Sequence, residues 1–178
     1  TVPVTALAGG ADAADTLAQQ LRERARDLGH HLGMEFPVYV VLTHCDAIAG
    51  FAETFAAFDA DDATQTWGMT LSVAKTRESA PEAVFDAEWT VLVSALGDLR
   101  TQRVARLSDD VKRMRALAFP AQLERLRPEL KRLVQVLFAR GKSASNDGPM
   151  FRGLYLTSSR VGAPSIERVL GDAALVVH

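Results

Sequence analysis

One short stretch constrains the fold more than any other part of the chain: the run VYVVL at residues 38–42, which follows Pro37. Its residues favour β-structure, and apolar and polar side chains do not alternate along it. A strand of this kind is buried on both faces, as the strands of parallel sheets are. The stretch TVPVTALA at the start reads as a further strand end, and a helical pattern lies between the two. Strand, helix, strand in this order predicts an α/β domain with a parallel sheet.

The helix between these strands has leucines and alanines at helical spacing from Leu17 to Leu32. Asp12 or Asp15 is expected to cap its start, and Gly29 or Gly33 to end it. After the second strand, apolar residues from Ile48 to Phe58 predict a short helix. The Trp67-Gly68 pair suggests an ordered loop, and KTRESAPEA at 75–83 is the stretch most typical of a loop.

From Pro81 to Arg140 the pattern is almost entirely helical. Apolar residues mark a first long helix up to Leu107, and Ser108 is expected to cap a second helix that Pro120 ends. Pro128 must kink or split the third helical stretch, which Gly141 closes. The run MFRGLYLTSS at 150–159 predicts another strand, and VGAP a turn before a last helix capped by Ser165. These elements predict three parts: residues 1–80 as an α/β half, 81–141 as a helical subdomain, and 142–178 as a returning strand and terminal helix.

Composition excludes several classes of protein. The chain has 178 residues and a net charge of −2, so as a whole it is not a nucleic-acid binder. No apolar run approaches the roughly 20 residues of a membrane helix, so we expect no transmembrane helix in this stretch. The single cysteine excludes an internal disulfide. Residues 98–142 carry twelve bases against five acids. This segment could contact an acidic partner or an anionic membrane surface. Alternatively, it could be a solvated helical surface whose charges pair within the molecule.

Polar residues follow both predicted strands at their carboxyl ends, where open α/β sheets bind ligands. Thr43, His44 and Asp46 follow the first strand, and Thr157, Ser158 and Ser159 end the second. Thr43-x-x-Asp46 resembles the base-reading motif of GTPase-type P-loop proteins, [NT]-K-x-D, with His44 in place of the lysine. An ionised carboxylate accepts two N–H donors from one edge of guanine, which is the chemistry of that motif.

Other roles for these residues remain open. Asp46 could equally cap a helix that begins at Ala47. Cys45 is expected to be a small buried residue, because His44 next to it on the strand points the other way and cannot act as its base. The histidines lack zinc-ligand spacing. No G-x-x-x-x-G-K-[ST] phosphate loop occurs in the chain, so it is not expected to hydrolyse a nucleotide alone.

Several blocks of sequence resemble one known family, the IcmF/TssM proteins of type VI secretion. PVYVVLTHCDAIAGFAETF is similar to that family's P-V-Y-V-x-x-T-K-C-D-x-x-x-G-F-x-x-x-F signature. Further blocks follow in the family's order: WGMTL, ALAFPAQLERLRPELKRLVQVLFAR, FRGLYLTSS and GAPSIERVL. The resemblance runs from about Val2 to Leu170, and the absence of an initiator methionine suggests a piece of a longer or processed chain.

The resemblance implies part of a P-loop NTPase-like parallel sheet with a large helical insertion. It implies a portion of a membrane-anchored protein at the cytoplasmic face of the bacterial inner membrane. Other membrane-complex and baseplate proteins of the secretion system would be its partners. Three functions stay open: a module for assembly and anchoring; part of a GTP- or ATP-binding domain, with Mg, whose phosphate loop lies upstream; and a stand-alone α/β binding domain. In the second, the six residues at the strand ends would line the base pocket.

Overall fold

A computed structural model describes residues 1–55, 66–140 and 149–158. Their architecture is a four-stranded sheet packed against helices, an α/β fold as predicted. Two short 3-10 turns, Val4–Leu7 and Cys45–Ala47, precede α1 and α2. The elements are β1 (Val2–Pro3), α1 (Gly10–Leu32), β2 (Phe36–Thr43), α2 (Phe51–Phe55), β3 (Trp67–Thr70), α3 (Val73–Glu78), α4 (Pro81–Val104), α5 (Asp110–Glu124), α6 (Arg127–Leu137) and β4 (Pro149–Leu156).

The sheet is mixed rather than purely parallel, with the strand order β1-β2-β4-β3. β1 and β4 both run parallel to β2, whereas β3 runs antiparallel to β4. The sequence predicted an ordered loop at Trp67, and that prediction was wrong, because residues 67–70 form the antiparallel edge strand. Gly68 and Gly153 allow this close pairing, since a Cβ on Gly68 would lie 2.3 Å from the Leu154 carbonyl oxygen.

One hydrophobic core lies on one face of the sheet. On that face Val40 is opposite Leu154, which is opposite Met69, and Leu42 is opposite Leu156. All five side chains are buried, together with apolar residues of α1, α4, α5 and α6. The other face is more open, and Tyr39 on it is 43% exposed. The prediction that residues 38–42 are buried on both faces was therefore wrong for one of the two faces.

α1 begins earlier than the aspartates predicted, because Gly9 occupies its N-cap position and Gly10 its first turn. Gly33 ends the helix in the left-handed conformation, φ 64°, as predicted. The helix packs on α6, and polar side chains join the two. Arg22 donates to the Val136 and Ala139 carbonyls at 2.9 and 3.0 Å, which ties α1 to the last turn of α6 and to the residues just after it.

The prediction of a loop at 75–83 was wrong for most of that stretch, because α3 and the start of α4 lie in it. The N-cap of α3 is Ser72, whose hydroxyl accepts from the Lys75 amide at 3.2 Å. α4 begins at Pro81, as expected for a proline in a first helical turn. The cap of α5 is Asp109 rather than Ser108. α5 also continues through Pro120, which is buried with Phe119 on the core side. Burial of this face offsets the local cost of a proline inside a helix.

The helical stretch after Pro120 is split, as Pro128 predicted. α5 ends at Glu124, and α6 begins at Arg127 with Pro128 in its first turn. The expected stop at Gly141, the VGAP turn and the helix capped by Ser165 lie outside the described residues, as does Phe58.

Many bases of the helical region pair within the molecule. Arg127 and Lys131 of α6 both contact Asp86 of α4, and Arg115 of α5 lies 3.4 Å from Glu53 of α2. These pairs agree with the interpretation of a surface whose charges pair internally. Among residues 1–55, 66–140 and 149–158, no helix is long and apolar enough to cross a bilayer.

Candidate functional site

The two polar strand ends lie side by side in the folded chain. β2 and β4 are parallel neighbours, so their carboxyl ends reach the same edge of the sheet. The Thr157 amide donates to the Leu42 carbonyl at 2.8 Å, and the Cys45 amide donates to the Thr157 carbonyl at 3.2 Å. The backbone ladder therefore continues past both strands and holds the loop after β2 against the loop after β4.

His44 turns the chain away from β2. Its backbone is left-handed, with φ 58° and ψ 37°, and it occupies the cap position of the 3-10 turn Cys45–Ala47. Its side chain is exposed, and Nδ1 lies 3.1 Å from the Thr43 hydroxyl. The exposed imidazole is shorter than the lysine stem of the resembled motif and lacks the permanent charge of that lysine.

Asp46 and Ser158 contact each other across the two loops. The Ser158 hydroxyl donates a hydrogen bond to Oδ1 of Asp46, and both residues are partly buried. Asp46 lies inside the 3-10 turn, whose cap position belongs to His44, and α2 begins only at Phe51. The alternative that Asp46 caps a helix from Ala47 was therefore wrong.

Cys45 is fully buried between these polar neighbours. Its Sγ lies 3.4 Å from the Leu42 carbonyl oxygen, to which the thiol donates. Burial raises the pKa of this thiol to about 12, and the Asp46 carboxylate adds to the rise. A thiol in this state is not a nucleophile near neutral pH, as expected for a small buried residue.

Gly50 fixes the far end of the loop after β2, a role that the sequence reasoning missed. Its φ is +86°, and a Cβ there would lie 2.1 Å from the Arg115 carbonyl oxygen of α5. The Phe51 ring then packs edge-on against Phe119, with centroids 5.7 Å apart. The sequence did carry a signal for it, since Gly50 and Phe51 are the G-F pair of the signature that the chain resembles.

The site thus combines one carboxylate, three hydroxyl groups and one exposed imidazole at the carboxyl edge of two parallel strands. Thr43, His44, Asp46, Thr157 and Ser158 are brought together, while Ser159 lies outside the described residues. Such groups can accept and donate hydrogen bonds to the edge of a polar ligand. Within the described stretches, no group of three or more His, Cys, Asp or Glu side chains could hold a metal ion.

The fold and this edge define an α/β domain with a mixed sheet and a candidate ligand loop. The sequence model of the IcmF-related N-terminal domain matches residues 1–177, and the chain belongs to that family. It is similar to the type VI secretion system component TssM1 of Pseudomonas aeruginosa, with 33% identity over 158 residues. That match covers 88% of this chain and 14% of the relative, so the chain spans a small part of the relative's length. No solved structure matches the chain.

Proposed function

We propose that this chain is part of a type VI secretion component and acts in assembly and anchoring of the secretion apparatus. The observation that carries the proposal is the 33% identity to TssM1 over 88% of the chain. In this role the chain works at the cytoplasmic face of the inner membrane. Its partners are other proteins of the secretion membrane complex and of the baseplate.

The chemistry of the site supports a binding or structural role over catalysis. Ser158 already engages one oxygen of Asp46, and Cys45 is a buried, protonated thiol. The contacts of Asp46 therefore hold the two loops together, which is a structural task.

Affinity purification tests the assembly role in the full-length parent protein. A tagged parent recovered from a secreting strain should bring other components of the secretion system with it. An Asp46→Ala variant should retain both this recovery and secretion, because the backbone bonds between the two loops, from the Thr157 amide to Leu42 and from the Cys45 amide to Thr157, remain. Recovery of the parent with no other secretion component would overturn the proposal.

A second function is supported by the position of the loops. Thr43, His44 and Asp46 meet Thr157 and Ser158 at the carboxyl ends of β2 and β4, where open α/β sheets bind nucleotides. On this proposal they belong, with Ser159, to the base pocket of an NTPase-like domain that binds GTP or ATP with Mg. The phosphate loop of that domain would lie in sequence upstream of residue 1.

Nucleotide titration separates the two functions. GTP and ATP, each with Mg, would be titrated against the complete cytoplasmic domain and against its Asp46→Ala variant. If Asp46 reads the base, the loss of a charged hydrogen-bond acceptor should weaken binding by roughly tenfold to a hundredfold. Asp98→Ala, which removes an exposed carboxylate of α4, is the matched control. Equal affinity in all three proteins would remove the base-reading role and leave the assembly role standing.

A further inference from the structure

Two tyrosines form a platform on the sheet face that does not carry the core. Tyr39 of β2 is opposite Gly153 of β4, and Tyr155 of β4 is opposite Gly68 of β3. Each ring lies close to a glycine: Cβ positions built on Gly153 and Gly68 would be 3.1 and 2.5 Å from Cδ1 of Tyr39 and Tyr155. The two ring centroids are 5.9 Å apart, and the Tyr155 hydroxyl lies 2.6 Å from the Thr70 hydroxyl.

This tyrosine platform, defined as Tyr39, Val41 and Tyr155, is apolar in character and uncharged. None of the three belongs to the core that the described residues form, nor to the partly buried side chains packed against it. Tyr39 keeps 43% of its surface exposed. Parallel strands are nearly always covered on both faces, because helical crossovers place helices on each side. Within residues 1–55, 66–140 and 149–158, the platform is therefore an unpartnered surface of the sheet.

The connections within the described chain explain why the platform is open. The crossovers from β1 to β2 and from β2 to β4 both advance in the same direction across the sheet. Parallel crossovers are right-handed, so two that advance in one direction place their helices on the same face. α1 and α6 accordingly contribute to the core that the described residues form, on the face opposite the platform. A crossover helix over the platform requires a parallel connection that advances across the sheet in the opposite direction. The described strands of residues 1–158 make no such connection.

We infer that the tyrosine platform is the docking surface for an amphipathic helix of the same polypeptide, supplied by residues outside 1–178. The match to TssM1 covers only 14% of that relative, so the relative carries much more chain than the matched region. The residues of the platform have no charge, which suits the apolar face of a helix. β2 also lacks a described neighbour on its outer side along residues 36–41, because β1 pairs only with Leu42 and Thr43.

Site-specific photocrosslinking in the full-length parent protein tests this inference. p-Benzoylphenylalanine would replace Tyr39, and the same group would replace Met114, which is 65% exposed on α5, as the matched control. Peptide mass spectrometry should show a link from position 39 to one helical segment of the same chain outside 1–178. Position 114 should not link to that segment. A link from position 39 to a second copy or to another protein, or no link, would overturn the inference.

A second measurement uses the unaltered parent and avoids any effect of the replacement on folding. Hydroxyl-radical footprinting should show Tyr39 protected in the native protein, with the protection lost on unfolding, while Met114 reacts in both states. Oxidation of native Tyr39 to the same extent as in the unfolded chain would contradict the docked helix. Neither measurement depends on secretion or on nucleotide, so this inference and the proposed functions can fail separately.

Discussion

Gly50 occupies a backbone conformation and a space that no other residue can share without strain. Its φ is +86°, and the Arg115 carbonyl lies where a Cβ would be. Gly50→Ala should lower the free energy of unfolding by about 2 kcal/mol or more, because a left-handed alanine and the overpacking both cost energy. Denaturant unfolding would measure the change. Gly97→Ala is the control: it lies in α4 with open space around it, and should stabilise by about 0.5–1 kcal/mol. Equal effects at both positions would contradict the contact.

The Cys45 thiol makes the free energy of unfolding depend on pH. Burial raises its pKa from 9.0 to about 12, so the folded thiol holds its proton where the unfolded thiol loses it. Its contribution to stability is present below pH 9 and is lost as the pH rises towards 12. The free energy of unfolding should therefore fall more steeply over this range than in Cys45→Ala. Iodoacetamide at pH 8 should modify the native thiol only after unfolding. Rapid modification of the native protein would show an accessible thiolate.

The residues of the candidate site were predictable in part. Strand ends in parallel sheets bring polar residues to one edge, so the sequence could identify Thr43 and Asp46 as neighbours of Thr157. It could not single out Ser158 as the hydrogen-bond partner of Asp46, because that contact depends on how the two loops are oriented beyond the strands. The left-handed backbone of His44 also escaped prediction, since any non-glycine residue is uncommon in that region.

The start of α5 offers a direct comparison of two possible caps. Oδ1 of Asp109 accepts from the amides of Val111 and Lys112 at 2.8 and 3.3 Å. Asp109→Ala should lower the free energy of unfolding by about 1 kcal/mol, because two helix donors lose their acceptor. Ser108→Ala should leave stability nearly unchanged. Thermal unfolding of the two variants would decide, and a larger loss for Ser108→Ala would place the cap where the sequence had predicted it.

Helices and strands with long, regular apolar patterns were predicted correctly, whereas two short elements were missed. α1, α4, β2 and β4 carry long apolar patterns, and the sequence identified all four. β3 and α3 span four and six residues, too short for either period to be recognised. The antiparallel direction of β3 depends on its pairing with β4, more than 80 positions later, so the local sequence could not predict it. Local propensity predicts a helix end at Pro120, but burial of Phe119 and Leu123 in the core lets the helix continue through it.

At the scale of the molecule, one core unites stretches that are far apart in sequence. It includes Val4 and Leu42 from residues 1–80, Leu96 and Leu133 from 81–141, and Leu154 from 142–178. The sequence predicted three parts by composition and pattern. Because the three parts share buried contacts, we expect that loss of packing in one part will destabilise the others.

Unfolding of the chain should therefore be one cooperative transition. Leu42→Ala in β2 and Leu133→Ala in α6 each remove a fully buried side chain, and each should cost about 2–5 kcal/mol. In a Trp89→Phe background, tryptophan fluorescence reports on Trp67 in β3, while far-UV circular dichroism reports mainly on the helices. Both signals should shift together in both variants, because the sheet and the helical region share the core that each substitution disrupts. Two separate midpoints, with Leu133→Ala moving only the helical signal, would show that the helical region is stable independently of the sheet.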